Sequence, residues 1–334
     1  MSVFVFGGQG TNFNGLVVAG TTAAVPFGPS GACTGKMTRA AIAIDVPDLG
    51  EIKSISNADR LTMVPATAAR REDGSIVVAG IHSSVNGLYP DHDLAVLVGR
   101  HAGVFTGKRP VRCNITDPVV AIDPARGLVY VTGSSRRMQK TFVYTVETGA
   151  FVELPPNAES GAARRDAHAA VFGDGTLLVF GGRTLLRGRA GDNGADFTPS
   201  AAAYNPLSRE WSTVADHAPT IARAALALLG DVLYVFCGDE RGDECWALER
   251  IGDEWKWAVL PRSPSVRHNG SAVVVGDKII VHGGCPFNGT CDTFDPAGRV
   301  WLQPEKPVEP ESLCGTFSGL WRCNGASVWV PDLA

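Results

Sequence analysis

Short apolar runs recur along the chain, and each of them ends at a small residue followed by glycine. Apolar runs of this length that are bounded by glycine are typical of buried β-strands. A period near 50 residues with strand-like content predicts a propeller blade of four strands. Six repeats are marked by the closing glycines, which lie 46 to 72 residues apart: Gly8, Gly80, Gly133, Gly182, Gly238 and Gly284.

The end of the chain completes a pattern that its start begins. Residues 322–332 followed by residues 2–8 match the stretch from Arg267 to Gly284 almost position for position. A repeat divided between the two termini predicts a closed ring, so we expect a C-terminal strand within about 322–332 to pair with the N-terminal blade. The predicted fold is all-β, a six-bladed β-propeller formed by a single domain spanning residues 1–334. A seven-bladed ring is the alternative.

A second repeated feature follows the glycines. It is a pair of ring or large apolar residues that stand seven positions apart. On these marks the chain resembles the kelch-repeat family, whose repeats carry a glycine pair after the second strand and then a tyrosine and a tryptophan at this separation. The resemblance spans nearly the whole chain and implies a kelch-like propeller. We expect the paired rings to fill the wedge between blades, where large side chains bury much apolar area. The pairs are Leu97/Val104, Tyr144/Phe151, Tyr204/Trp211, Leu248/Trp255 and Phe294/Trp301.

Composition narrows the class of protein and its compartment. Apolar residues make up 45% of the chain, which is ample for a core, but no run approaches the roughly 18 apolar residues of a membrane span. The apolar start lacks the basic segment and cleavage site of a signal peptide, so we expect a cytoplasmic or nuclear protein. Incorporation into a larger particle is an open alternative. The formal net charge of -4 argues against general nucleic-acid binding. We therefore expect neither a membrane nor a nucleic-acid partner.

The eight cysteines raise the alternatives of disulfides and free thiols. Three pairs are near neighbours: Cys237/Cys245, Cys285/Cys291 and Cys314/Cys323. Without an export signal we expect buried free thiols, with disulfides as the alternative. None of the pairs has the two-residue spacing of a zinc site, so the sequence predicts no metal site and no cofactor.

Function in such a ring is expected on the face where the loops cluster, because the blades form only a rigid platform. The loop after each second strand and the segment that enters the next blade emerge on the same side. We refer to this side as the loop-bearing face. Long, unequal loops on it are predicted at Gln9 to Lys36, Ile81 to Asp93 and Arg183 to Pro199. They indicate recognition, with tolerated insertion as the alternative.

Cations are concentrated on these loops in the third and fourth units. The planar fork of arginine suits carboxylate or phosphate recognition, so we expect an acidic peptide or acidic protein surface as the partner. Ordinary solvated charge is the alternative interpretation. The next unit carries an acidic patch of Asp239, Glu240, Asp243 and Glu244. The basic sector consists of Lys108, Arg109, Arg112, Arg136, Arg137, Lys140, Arg164, Arg165, Arg183, Arg187 and Arg189.

A third group is expected near the mouth of the central channel. Arg164, Arg267 and Arg322 occupy matching repeat positions, and the resemblance to kelch-like proteins implies that such positions meet ligands. His168 and His268 stand close by in sequence. A switch or acid–base group is one interpretation of these histidines, and a hydrogen bond to a neighbouring loop is the more common role. The predicted channel-mouth residues are Arg267, His268, Asn269, Arg322 and Asn324.

The functional prediction is a non-catalytic protein–protein interaction scaffold, or a subunit of a larger assembly, that binds partners through the loop-bearing face. No nucleophile, phosphate-binding loop or metal cluster stands out in the sequence, so no catalytic residue is predicted. The alternative is a carbohydrate-active or lectin-like propeller, either sialic-acid epimerase-like or oxidase-like. It rests on arginines near the channel, which suit a sugar carboxylate.

Overall fold

The structure is a computed structural model. It describes residues 2–6, 21–26, 38–41, 43–45, 66–83, 92–100, 104–107, 111–135, 138–157, 164–184, 200–214, 219–238, 242–252, 254–282, 284, 291–302 and 326–330. Within these residues every regular element is a β-strand. In chain order the strands are β1 (Ser2–Phe6), β2 (Thr21–Pro26), β3 (Thr38–Ala41), β4 (Ala43–Asp45), β5 (Ala66–Arg70), β6 (Ile76–Ser83), β7 (His92–Gly99), β8 (Val104–Gly107), β9 (Val111–Arg112), β10 (Thr116–Asp123), β11 (Leu128–Ser135), β12 (Met138–Thr145), β13 (Phe151–Glu153), β14 (Arg164–Arg165), β15 (His168–Val171), β16 (Leu177–Phe180), β17 (Arg183–Thr184), β18 (Ala201–Asn205), β19 (Glu210–Val214), β20 (Ala225–Leu229), β21 (Val232–Phe236), β22 (Cys245–Ile251), β23 (Glu254–Leu260), β24 (Ser271–Val275), β25 (Lys278–His282), β26 (Cys291–Asp295), β27 (Val300–Leu302) and β28 (Ala326–Val330).

The described strands form a β-propeller with five four-stranded antiparallel blades. The predicted six-bladed ring is therefore wrong, and the described sheets do not form the seven-bladed alternative either. A two-stranded ribbon of β14 and β17 stands beside the third of the blades. The blades have the strand orders β28-β1-β2-β3, β10-β11-β12-β13, β15-β16-β18-β19, β20-β21-β22-β23 and β24-β25-β26-β27.

The sheet that follows the first blade explains why the blade count fails. It contains six strands, in the order β4-β8-β7-β6-β5 with β9 also paired to β7. Its outer part is mixed, because β4 pairs parallel with β8, Ala43 opposite Val104 and Asp45 opposite Thr106. The repeat glycine of this unit, Gly80, lies inside β6 and carries no information about which distant segment joins the outer edge.

Closure of the ring agrees with the pattern shared by the two termini. β28 pairs antiparallel with β1, with Ser2 opposite Val330 and Phe4 opposite Val328. The C-terminal strand is therefore the first strand of the N-terminal blade. The prediction of one long loop from Gln9 to Lys36 is wrong, because β2 lies inside that segment and pairs with both β1 and β3.

Large apolar side chains fill the spaces between neighbouring sheets, as expected for a propeller. The second strands β16, β21 and β25 are buried along most or all of their length. Ring clusters then pack blade against blade: Tyr204 and Trp211 join the cluster of β11 and β16, with ring centroids 5.2 Å apart. The Trp211 and Trp301 indoles each donate a hydrogen bond to a proline carbonyl of the preceding blade, at 2.9 and 3.0 Å.

The seven-residue pairs are regular in three repeats and not in two. Tyr144 lies opposite Phe151, Tyr204 opposite Trp211, and Phe294 opposite Trp301. Leu97 instead lies opposite Gly107, and Leu248 lies opposite Trp257. The seven-residue spacing therefore does not correspond to a cross-strand pair in those two sheets, because their hairpin connections differ in length. Leu248 and Trp255 nevertheless pack in one cluster, as expected.

Candidate functional site

A central channel of about 800 Å³ runs between the innermost strands. Its walls come from β5, β10, β15, β20 and β24, and many of the side chains that face it are alanines, such as Ala69, Ala170 and Ala272. Small side chains on the innermost strands leave the space open. The volume lies within the range of small-molecule sites.

A polar rim lies where the innermost strands begin. Asp117, Asp166, Arg223 and Asn269 all line the channel there and all have left-handed backbone conformations, with φ between 48° and 60°. Asp and Asn adopt this conformation more readily than other non-glycine residues. The Nε of Arg223 lies 3.2 Å from Oδ1 of Asp166, and the backbone N–H of Asn269 donates to the carbonyl of Arg223 at 2.7 Å. The rim is thus tied from one blade to the next.

Of this rim, sequence reasoning had singled out only Asn269. The other three residues were missed, although a signal was present. Three of the rim residues stand two positions before the innermost strand of their blade, and Asp117 is the second residue of β10. A polar residue close to the start of an innermost strand is the mark that could have found Asp117, Asp166 and Arg223.

The predicted channel-mouth arginine Arg267 is directed into the fold. Its side chain is only 1% exposed and forms an ion pair with Asp292 of β26. His268 is half-buried, and its carbonyl approaches Gly284 so closely that a Cβ there would lie 2.7 Å away. Asn269 does line the channel. Arg322 and Asn324 lie outside the described residues.

Arg164 occupies the matching position in the earlier repeat and is also buried, at 2% exposure. Its guanidinium donates to the carbonyl and the hydroxyl of Ser200, at 2.8 and 2.5 Å, and to the carbonyl of Gly181 at 3.4 Å. Burial lowers the pKa of Arg164 to about 10, so it remains protonated at neutral pH. This cation holds the start of β18 against the end of β16 and is not on the surface.

The other described members of the basic sector lie in different surroundings. Arg112 is exposed at the end of β9, and Lys140 forms an ion pair with Glu153 at 2.8 Å. Arg165 and Arg183 lie directly opposite each other in the ribbon of β14 and β17. Lys108, Arg109, Arg136, Arg137, Arg187 and Arg189 lie outside the described residues.

The acidic patch is described in part. Asp243 and Glu244 both lie near Arg262, at 3.1 and 3.8 Å. Asp239 and Glu240 lie outside the described residues. Asp243 and Glu244 therefore both interact with Arg262, which lies in the segment that follows β23.

Two buried histidines are held neutral. Nε2 of His168 accepts a hydrogen bond from the backbone N–H of Ala224 in the next blade, at 3.3 Å. Burial lowers the pKa of His168 to about 4, and burial together with the charge of Arg267 does the same for His282. For His168 the expectation that it hydrogen-bonds a neighbouring segment is confirmed.

The three cysteines whose side chains are described, Cys113, Cys237 and Cys245, are free and buried, as expected. Among the described residues, no group of three or more His, Cys, Asp and Glu side chains has the arrangement of a metal site. In the same residues no helix has the length and apolar character needed to cross a membrane. No family model matches the chain.

Proposed function

We propose that this propeller is a non-catalytic interaction scaffold that binds an acidic protein surface on its loop-bearing face, at the basic sector of the third and fourth units. The assignment to kelch-like proteins is part of the same proposal. A rigid ring carrying variable loops is the arrangement by which many scaffolds present a binding surface. A cytoplasmic or nuclear setting, and membership of a larger assembly, complete the proposal.

The observation that carries the proposal is the register of the β14–β17 ribbon. Arg165 and Arg183 are direct cross-strand partners, and residues directly opposite one another share a face of a ribbon. The register therefore places two cationic residues at adjacent backbone positions, and positive charge concentrated in one segment favours an anionic partner. Arg187 and Arg189 follow β17 closely in sequence and add to the positive charge of this segment.

The test is capture of a fluorescent polyglutamate peptide, measured by anisotropy at low and at moderate salt. The quadruple variant Arg165→Glu, Arg183→Glu, Arg187→Glu and Arg189→Glu should lose most binding, and the remaining affinity should no longer fall with salt. Arg164 is left unchanged because it is buried. Undiminished binding by the folded quadruple variant would refute the basic sector as the binding surface.

A matched control reverses cations elsewhere on the ring. Lys256 of β23 and Arg209 of the turn between β18 and β19 are both exposed. The double variant Lys256→Glu and Arg209→Glu removes two cations and should keep the affinity within about twofold, since distant surface charges are screened. Crosslinking mass spectrometry on material isolated from its source would then name the neighbour, and native mass spectrometry that finds only a monomer would contradict membership of an assembly.

The channel supports a second candidate, the lectin-like alternative. Its rim offers Arg223, Asn269 and Asp166, which suit the carboxylate and hydroxyl groups of an acidic sugar. Titration with sialic acid, followed by calorimetry, tests this candidate. Binding that disappears in Arg223→Ala would favour the lectin-like function, and no heat at millimolar sugar would dismiss it.

A further inference from the structure

Cys237 occupies a backbone position that glycine holds in the preceding blade. The second strand β16 is followed by Gly181, with φ 62°, whereas the equivalent strand β21 is followed by Cys237, with φ 64°. A side chain in this left-handed region costs about 1–2 kcal/mol relative to the right-handed one. A cysteine held at such a position is an outlier from which a function can be inferred.

The left-handed turn brings the thiol of Cys237 onto the same side of the sheet as Cys245. Cys245 lies opposite Phe236, and the N–H of Cys237 donates to the carbonyl of Glu244 at 2.8 Å. In an extended strand, neighbouring side chains point to opposite faces, so an extended Cys237 would point away from Cys245. With φ at 64° both cysteines instead lie in one core cluster, where the Cys237 thiol donates to the carbonyl of Ser265 at 3.8 Å and the Cys245 thiol donates to the carbonyl of Asp243 at 3.4 Å.

The surroundings shift the pKa values of the two thiols in opposite directions. Both are buried, at 2% and 0% exposure. The interaction with Cys245 lowers the pKa of Cys237, as do Ser263 and the charge of Arg267, whereas the same interaction and burial raise the pKa of Cys245. Since the thiolate is the nucleophile, Cys237 is the sulfur that reacts first and Cys245 is its resolving partner.

We propose that Cys237 and Cys245 form a redox modification site, which a peroxide converts into an intramolecular disulfide. The Cys237 thiolate attacks one peroxide oxygen, the O–O bond breaks, and the leaving hydroxide takes a proton to become water. The resulting sulfenic acid is attacked by the Cys245 sulfur, which loses its proton as the S–S bond forms and a second water leaves. The two thiols lose two electrons in total, and the peroxide gains them.

The disulfide would close the loop that runs from the end of β21 to the start of β22. This loop already contacts the incoming segment of the next blade on both sides, since Gly238 N–H donates to the carbonyl of Arg267 and Arg267 N–H donates to the carbonyl of Gly242. It also carries Asp243 and Glu244 of the acidic patch. Oxidation would therefore stiffen one part of the loop-bearing face without involving the basic sector.

The full-length protein itself tests the proposal, because trypsin cuts after Arg241, between the two cysteines. After hydrogen peroxide treatment, alkylation in denaturant and digestion, peptides 224–241 and 242–250 should appear as one species that is two hydrogens lighter than their sum. Reduction should separate them. If both peptides are instead recovered as alkylated thiols after peroxide treatment, or Cys237 is linked to a different cysteine, the proposal is overturned.

Cys113 is the matched internal control. It is buried like the pair, and its thiol donates to the carbonyl of Val111. Burial raises its pKa to about 11, so peptide 113–126 should remain reduced, and Cys113→Ser should leave the linked peptides unchanged. Cys245→Ser should stop the reaction at the Cys237 sulfenic acid, which dimedone traps. Absence of the dimedone adduct in that folded variant would contradict the assigned order of attack.

Discussion

Two junctions between blades follow the same backbone path with different side chains. At the Gly181 junction, formed by Gly181, Gly182 and Ile221, the N–H of Gly182 donates to the carbonyl of Ile221 at 2.8 Å. At the Cys237 junction, formed by Cys237, Gly238 and Arg267, the N–H of Gly238 donates to the carbonyl of Arg267 at 3.2 Å. In each case a left-handed residue precedes the donor glycine.

The junctions differ in the room beside that left-handed residue. A Cβ on Gly181 would lie 2.4 Å from the carbonyl oxygen of Ile221, closer than real side chains approach. At the Cys237 junction the same space accommodates a thiol, which donates to the carbonyl of Ser265 at 3.8 Å. Both junctions therefore need a left-handed backbone conformation at this position. Glycine is required only where a backbone atom of the next blade lies too close for a side chain.

The largest expected effect is on the free energy of unfolding, and it differs between variants of the two buried arginines. Arg267→Ala should cost about 3–5 kcal/mol, because it leaves the 12%-exposed carboxylate of Asp292 without its cation. Arg164→Ala should cost less, about 1–3 kcal/mol, because its partners at the Gly181 junction are neutral oxygens. Urea unfolding followed by tryptophan fluorescence measures both. Adding Asp292→Ala should recover part of the loss in Arg267→Ala, and equal losses in the two single variants would contradict this account.

Gly181→Ala tests the close approach directly. The variant combines left-handed strain with overlap on a backbone oxygen and should lose about 2–4 kcal/mol. Gly230→Ala is the matched control, since Gly230 has φ 59° and its Cβ would meet no atom within 4 Å. The control should lose only about 1 kcal/mol. If thermal unfolding gives both variants the same loss, close approach is not what requires glycine at the Gly181 junction.

Acid should lower the free energy of unfolding, because His168 and His282 are buried in the neutral form. His168 and His282 have folded pKa values of about 4, below the ordinary value of 6.5, so the unfolded chain takes up protons first. The stability present above pH 6.5 is therefore lost as the pH falls toward 4, by about 1 kcal/mol for each histidine at pH 5.5. Urea midpoints between pH 7.5 and 5 measure the loss. His168→Gln should remove about half of the slope, and an unchanged slope would contradict the assignment.

The smallest effect concerns Cys237 itself. Cys237→Gly removes the left-handed strain, whereas Cys237→Ala keeps it. Since both remove the thiol, the glycine variant should be the more stable by about 1 kcal/mol. Paired thermal melts of the two variants under reducing conditions measure the difference. An alanine variant that matches or exceeds the glycine variant would show that the position carries no strain.

Sequence reasoning reached the repeated features and missed those that depend on distant segments. The pairing of residues 326–330 with the first strand was predicted correctly, and so was the packing of four of the five seven-residue pairs in core clusters. The blade count was wrong because β4 joins β8 in parallel. Arg164 was assigned to the surface but is buried, because segments without a strand or helix period give no sign of which side chains point inward.

What the amino-acid order determined by itself is local and periodic: where strands end at glycine, which side chains are large, and how the termini share one repeat. Only the tertiary structure decided the outer edge of the six-stranded sheet, the burial of Arg164 and Arg267, and the packing of Cys237 and Cys245 in one core cluster. The first group follows from backbone geometry over a few residues. The second depends on how closely separate blades approach one another, and that distance is decided by the packing of the whole ring.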